Sequence, residues 1–257
     1  MANAGRKGIV RYVEALAVND ICTALQGLDS GTLVANATYG FGWVPSCDTG
    51  DQSFIRAYNV GRGAHIAGSL AATNDNMLEF NGDKLMFYGS TGFNSVETLV
   101  QFDVATDIAF NFGFHDEVTE VSATLPVELS TTTFYSSAST FLGFVFDTAA
   151  TNDELHCFWV DDDVDTTETI ANLRMKGMTL KAAKWLWLRV EMQDRGSGSG
   201  VRATFHAAQD GKSMTKEFNT TVDNDAALAW YFAAENRSAI GHNVYLKLPA
   251  WEQSIND

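Results

Sequence analysis

The chain has 257 residues, 46% of them hydrophobic and 12% aromatic, and a formal net charge of −15. That length suits one large β domain or two small ones, with 17 Phe and 6 Trp available for a core. So acidic a surface disfavours nucleic-acid phosphates and anionic membranes as partners, and no run of 18 apolar residues offers a membrane span.

Residues 1–50 differ from the rest. Ile9, Val13 and Leu16 lie at helical spacing, as do Ile21, Leu25 and Leu28, so the stretch reads as short helices or as an extended arm. Gly27, Asp29, Ser30 and Gly31 break the pattern, and Tyr39 to Trp43 interleaves aromatics with glycine. The segment either reaches to a neighbour or completes the edge of the following domain.

From Phe54 onward a period of two dominates, the mark of strands with one buried face. Strands are expected at Phe54–Val60 and Ala64–Leu70. Met77–Phe80 and Lys84–Tyr88 flank Asn81-Gly82, which reads as a tight hairpin because a type I′ turn needs positive φ at both central residues. Val96–Asp103 and Asp107–His115 follow. In the latter Ile108, Phe110, Phe112 and Phe114 share one face, with Ala109, Asn111, Gly113 and His115 on the other.

Phe141–Phe146 is almost wholly apolar, as a central strand covered on both sides would be. Glu154–Val160 alternates, with Leu155, Cys157 and Trp159 on one face. Lys184–Met192 places Trp185 and Trp187 opposite Leu186, Leu188 and Val190. Val201–Ala207 and Met214–Phe218 flank Asp210-Gly211, a second hairpin signal, and Leu228–Ala233 and Val244–Leu248 close the chain. The run Arg195–Gly200 reads as a hairpin tip rather than a domain linker, because strands flank it closely. With only 3 Pro against 21 Gly, the turns rest on Gly, Asn and Asp.

Cys22, Cys47 and Cys157 are odd in number and widely spaced, so neither a disulfide framework nor a zinc site is implied. No apolar stretch follows the N-terminus, and the chain reads as made in a reducing cytoplasm.

The run from Trp185 to Phe218, with its Gly-rich tip and Asp-Gly turn, resembles the central hairpin pair of concanavalin A-like (laminin G-like) jelly rolls. Phe110–Phe114, an acidic loop, Phe141–Asp147 and Leu155–Val160 follow in an order similar to that of head decoration, or cement, proteins of tailed bacteriophages, which share this sandwich. The likeness spans roughly residues 80–250. It implies a virion structural protein: a homotrimer on the outer capsid surface, bound to the major capsid protein and made in the host cytoplasm. The same fold also serves carbohydrate binding, so a lectin-like or host-adhesion role, with a glycan as partner, is the alternative.

The residues carry no enzyme signature. A retaining glucanase of this fold needs two carboxylates about 5 Å apart, usually from Glu-x-Asp-x-(x)-Glu on one strand, and that run is missing. Asp116, Glu117 and Glu120 read as a solvated loop. Asp161, Asp163 and Asp165 match the first ligand spacings of a calcium loop, but Thr166 stands where Gly is needed and Asn172 where Glu is needed. That segment is a hydrated turn or a lectin-type cation loop, and Asp147 and Asp153 share the ambiguity. His65, His115, His156, His206 and His242 are scattered. Trp185 and Trp187 are core or interface, or else a glycan platform. No catalytic, cofactor or metal residue is assigned. The expected fold is all-β: an antiparallel β-sandwich over residues 51–257 with an N-terminal arm or lead-in over 1–50.

Overall fold

The computed structural model describes residues 8–12, 32–33, 43–47, 53–82, 84–117, 124–247 and 250–255. Along these the strands are β1 (Gly8–Tyr12), β2 (Thr32–Leu33), β3 (Trp43–Cys47), β4 (Ser53–Asn59), β5 (Gly63–Leu70), β6 (Met77–Gly82), β7 (Phe93–Phe102), β8 (Ile108–His115), β9 (Val127–Ser130) and β10 (Thr133–Ser136). Then come β11 (Phe141–Asp147), β12 (His156–Asp161), β13 (Val164–Asp165), the short helix α1 (Ile170–Leu173), β14 (Leu186–Asp194), β15 (Val201–Gln209), β16 (Lys212–Asn219), β17 (Ala229–Asn236), β18 (His242–Leu246) and β19 (Ala250–Ile255).

Two antiparallel sheets carry the fold. A ten-stranded sheet runs β16-β15-β14-β7-β18-β5-β4-β2, with β19 pairing both β7 and β1. A seven-stranded sheet runs β13-β12-β11-β8-β17-β6-β3. Their facing sides interdigitate through phenylalanine. Phe110 of β8 stacks on Phe102 of β7 at 5.2 Å between centroids, and Phe144 of β11 meets Phe205 of β15 edge-on at 5.4 Å. Such contacts add about 0.5–1.5 kcal/mol each beyond the area they bury. Leu186, Leu188 and Val190 fill the same layer from β14.

The alternation in β8 marks its core face correctly, yet the other face is buried too. The β9–β10 hairpin lies over it. The Asn111 side chain donates to Val127 O and accepts from Val127 N, both at 2.9 Å, so it mimics a strand partner. Phe134 of β10 stacks on Phe158 of β12 at 4.2 Å.

The expected hairpin at Asn81-Gly82 does not form. Both residues continue β6, where Asn81 pairs with Tyr231 on one side and Val44 on the other. A Cβ on Gly82 would lie 3.0 Å from Trp230 Nε1, so this glycine admits a close neighbour instead of turning the chain. The Asp210-Gly211 hairpin does form, with φ of 52° and 80°. The described parts of residues 1–50 are strands: β1 joins β19, β2 joins β4 and β3 joins β6. Around Ile9 the chain is extended, as strand β1, which is the second of the two conformations its spacing left open. Val13, Leu16, Ile21, Cys22, Leu25 and Leu28 lie outside the described residues, as does Glu120.

Candidate functional site

At the edge where β13 ends the seven-stranded sheet, a pocket of about 400 Å³ opens between the β12–β13 hairpin and the exit of β16. Trp159, Asp161, Asp162, Val164, Asp165, Thr166, Thr167 and Glu168 line it from the hairpin and the segment after it, and Asn219 and Thr221 from the end of β16.

Local chemistry sets each of these groups. The hairpin turns through Asp162 and Asp163 at φ of 46° and 63°, the left-handed conformations of a two-residue turn. That tight turn explains why the calcium-like spacing of Asp161, Asp163 and Asp165 builds no loop around an ion. Among the described residues no cluster of three or more His, Cys, Asp or Glu is arranged to hold a metal.

Trp159 is 4% exposed, so it offers an edge rather than a stacking face. Its backbone carbonyl accepts from Thr166 N at 3.1 Å, and its ring tilts against Phe218 of β16 at 5.3 Å. The indole Nε1–H is buried and meets no acceptor. A buried donor left so costs about 1–3 kcal/mol.

Asp161 accepts from Asp223 N at 3.1 Å, and Asp165 accepts from the Ser136 hydroxyl. The Asp161 carboxyl is held above its ordinary range, first by burial and then by the nearby carboxylates of Asp223, Asp162 and Asp225, against the Asp223 hydrogen bond. Glu168 accepts from the Asn172 side chain. No Lys, Arg or His lines the pocket.

The outward face of the ten-stranded sheet is the second notable surface. Trp185 and Trp187 lie there half-buried, opposite the buried Leu186 and Leu188. Lys247 Nζ sits 5.2 Å over the Trp185 ring, and Arg62 caps Tyr245 at 3.9 Å. Alongside, Arg189 bonds Glu97 at 3.2 Å, Glu191 at 2.6 Å and Glu252 at 3.0 Å, joining β7, β14 and β19.

The remaining expected positions resolve one by one. Asp116 bonds Thr140 N at 3.0 Å, beside the exposed Glu117. Asp147 is buried and ion-paired to Arg237, whereas Asp153 is exposed. His65, His115, His156 and His242 are buried and His206 is half-buried, 3.6 Å from Glu191. Cys157 is fully buried, and burial pushes its thiol far up. Sequence reasoning missed Asn219 and Thr221 as pocket residues. Only the packing of the β16 edge of one sheet on β12 of the other, where Phe218 meets Trp159, brings them near residue 159, and nothing local announces that.

No family profile matches the sequence, and no curated protein matches it. Solved structures do. Peanut lectin superposes with a TM-score of 0.53 at 11% identity, over 88% of this chain and 97% of that one. A protein of unknown function from Shewanella oneidensis MR-1 gives 0.51 at 12% identity, over 88% and 91%. At such identities the likeness is one of fold. The chain is an antiparallel β-sandwich of the concanavalin A-like, legume-lectin-type jelly-roll class.

Proposed function

We propose that this protein is a non-catalytic carbohydrate-binding protein of lectin type, with the Trp159 pocket as its glycan seat. The observation that carries this reading is the pocket itself. Carboxylate acceptors, an amide and threonine hydroxyls line a space the size of small-molecule sites, beside a largely buried tryptophan. Sugars are bound by such convergent polar groups, because each hydroxyl both donates and accepts. The sandwich shared with peanut lectin supports the reading at the level of fold. Asp161 and Asp165 each hold a hydrogen bond within the protein, which suits orienting acceptors.

The test is a glycan array probed with the wild-type protein and with Asn219→Ala. Retained glycans that the variant loses support the reading; a blank array overturns it.

A second reading keeps the role implied by the sequence resemblance: a homotrimer seated on the major capsid protein of a tailed-phage head. The half-buried Trp185 and Trp187, flanked by Lys247, suit a subunit contact on an otherwise acidic chain. Co-sedimentation with purified heads tests it, and a protein that never pellets with them removes it. A glycan-binding protein displayed on a virion would satisfy both readings.

A further inference from the structure

We infer that the guanidinium of Arg237 is a resident cation in the seat a loop metal ion would take, so that the protein ties these chain segments together without calcium or another divalent ion. The inference goes beyond the carbohydrate-binding reading and stands without it.

By sequence, Asp147 and Asp153 are open to a lectin-type cation loop. The donors each carboxylate already has decide whether a metal fits. Asp147 is 1% exposed. Its Oδ1 accepts from Ala149 N at 2.8 Å and from Arg237 Nε at 3.3 Å. Its Oδ2 accepts from Arg237 Nη2 at 2.6 Å and from Leu129 N at 3.4 Å. A carboxylate offers about four lone-pair sites, so none is left for a metal ion. Asp153 is exposed in the following loop and is not among the carboxylates around the guanidinium. The residues present therefore do not fit a loop metal at Asp147.

The surroundings of the guanidinium explain what replaces it. Nη2 lies 2.6 Å from Asp147, at the end of β11, and 3.7 Å from Glu128 of β9. Nη1 contacts Glu235 of β17 and lies 3.5 Å from Asp75, between β5 and β6. The Arg237 backbone N–H donates to Asp107 O at 2.8 Å, at the entry to β8. Carboxylates gathered from separate segments around one positive charge are how calcium ties loops together. Here the charge belongs to the chain, and its planar fork matches carboxylate geometry. Asp147, Glu235, Glu128 and Asp75 still outnumber it. Once the guanidinium is removed, that excess suits a divalent ion, and the exposed Asp75 marks the way in.

Thermal unfolding of the full chain decides this, in EDTA, in calcium chloride and in sodium chloride of matched ionic strength. The wild type is expected to melt at the same temperature in all three. Arg237→Ala is expected to melt lower than the wild type in EDTA. Calcium at tenfold its Kd should return roughly 3 °C or more, and sodium chloride should return nothing. Arg237→Gln, whose amide can still donate to Asp147, gives the same reading where the alanine variant does not fold. A wild type that calcium stabilises or EDTA weakens overturns the inference, because a metal then has a place beside Arg237. Variants on which calcium and sodium chloride act alike also overturn it, since Arg237 would then be an ion-pair partner only.

Discussion

Arg237 grips the buried carboxylate of Asp147 through two nitrogens, Nη2 to Oδ2 at 2.6 Å and Nε to Oδ1 at 3.3 Å. Asp147 ends β11 and Arg237 follows β17, so this fork clasps two strands that flank β8. Asp147 also accepts from Ala149 N at 2.8 Å and from Leu129 N at 3.4 Å. Removing the guanidinium leaves buried negative charge uncompensated. Arg237→Leu should therefore destabilise by about 3–5 kcal/mol. Asp75→Asn, at the exposed end of the same cluster, should change stability by less than about 1 kcal/mol. Urea denaturation of the two variants checks the contrast.

Glu235 shares that guanidinium with Asp147, Glu128 and Asp75, so carboxylates outnumber the charge they surround. Burial, opposed by Arg237 and helped by the other carboxylates, raises its pKa to about 7. The folded state then holds a proton more tightly than the unfolded chain does. The stability this gives is full below the ordinary value of about 4.5 and is lost as pH rises through about 7. Glu235→Gln keeps an acceptor for Arg237 and removes the titration. The Tm of the variant relative to the wild type should rise from about pH 5 to about pH 8, because only the wild type loses this contribution.

His115 and His156 act in the opposite sense. Burial lowers both to about 4. His156 packs edge-on under Phe134 of the β9–β10 hairpin at 5.8 Å. Their contribution is intact above the ordinary value of about 6.5 and is lost as pH falls through about 4. Acidification should loosen the β9–β10 hairpin, and His156→Phe should delay that loss. Amide exchange at Leu129 against pH is the readout.

Gly113 of β8 and Gly143 of β11 face each other in register. A Cβ on Gly143 would come 2.5 Å from Phe112 O, and one on Gly113 would strike Leu142 O. Backbone atoms cannot yield as a flexible side chain does, so Gly143→Ala should cost about 1–3 kcal/mol or more. Gly198→Ala, in the open β14–β15 tip, meets no atom within 4 Å and pays only for its φ of +68°. Thermal melts of the pair separate steric closeness from backbone conformation.

How much of this could be read beforehand depended on range. The alternation of β8, β14 and β15 named the core correctly, because a period of two is a local property. The Asp210-Gly211 turn was equally local. Asn81-Gly82 misled, because β6 gains partners in both β3 and β17, and that pairing outweighs a dipeptide's preference to turn. Asn111 looked solvent-facing for the same reason: the hairpin that covers it comes later in the chain, beyond a stretch of no strong pattern. The acidic wall of the pocket stood out in the sequence. Its far side, Asn219 and Thr221, is more than fifty residues on and became visible only with the sheets assembled.

The central claim is that the Trp159 pocket holds a glycan, and the indole N–H signals of the six tryptophans test it most directly. With Trp159 assigned by Trp159→Phe, titration of an array-selected glycan should move the Trp159 signal as the pocket it lines fills, leaving those of Trp185 and Trp187 in place. Movement of the Trp185 and Trp187 signals with Trp159 unchanged would contradict the account and shift the binding surface to the outward face of the larger sheet.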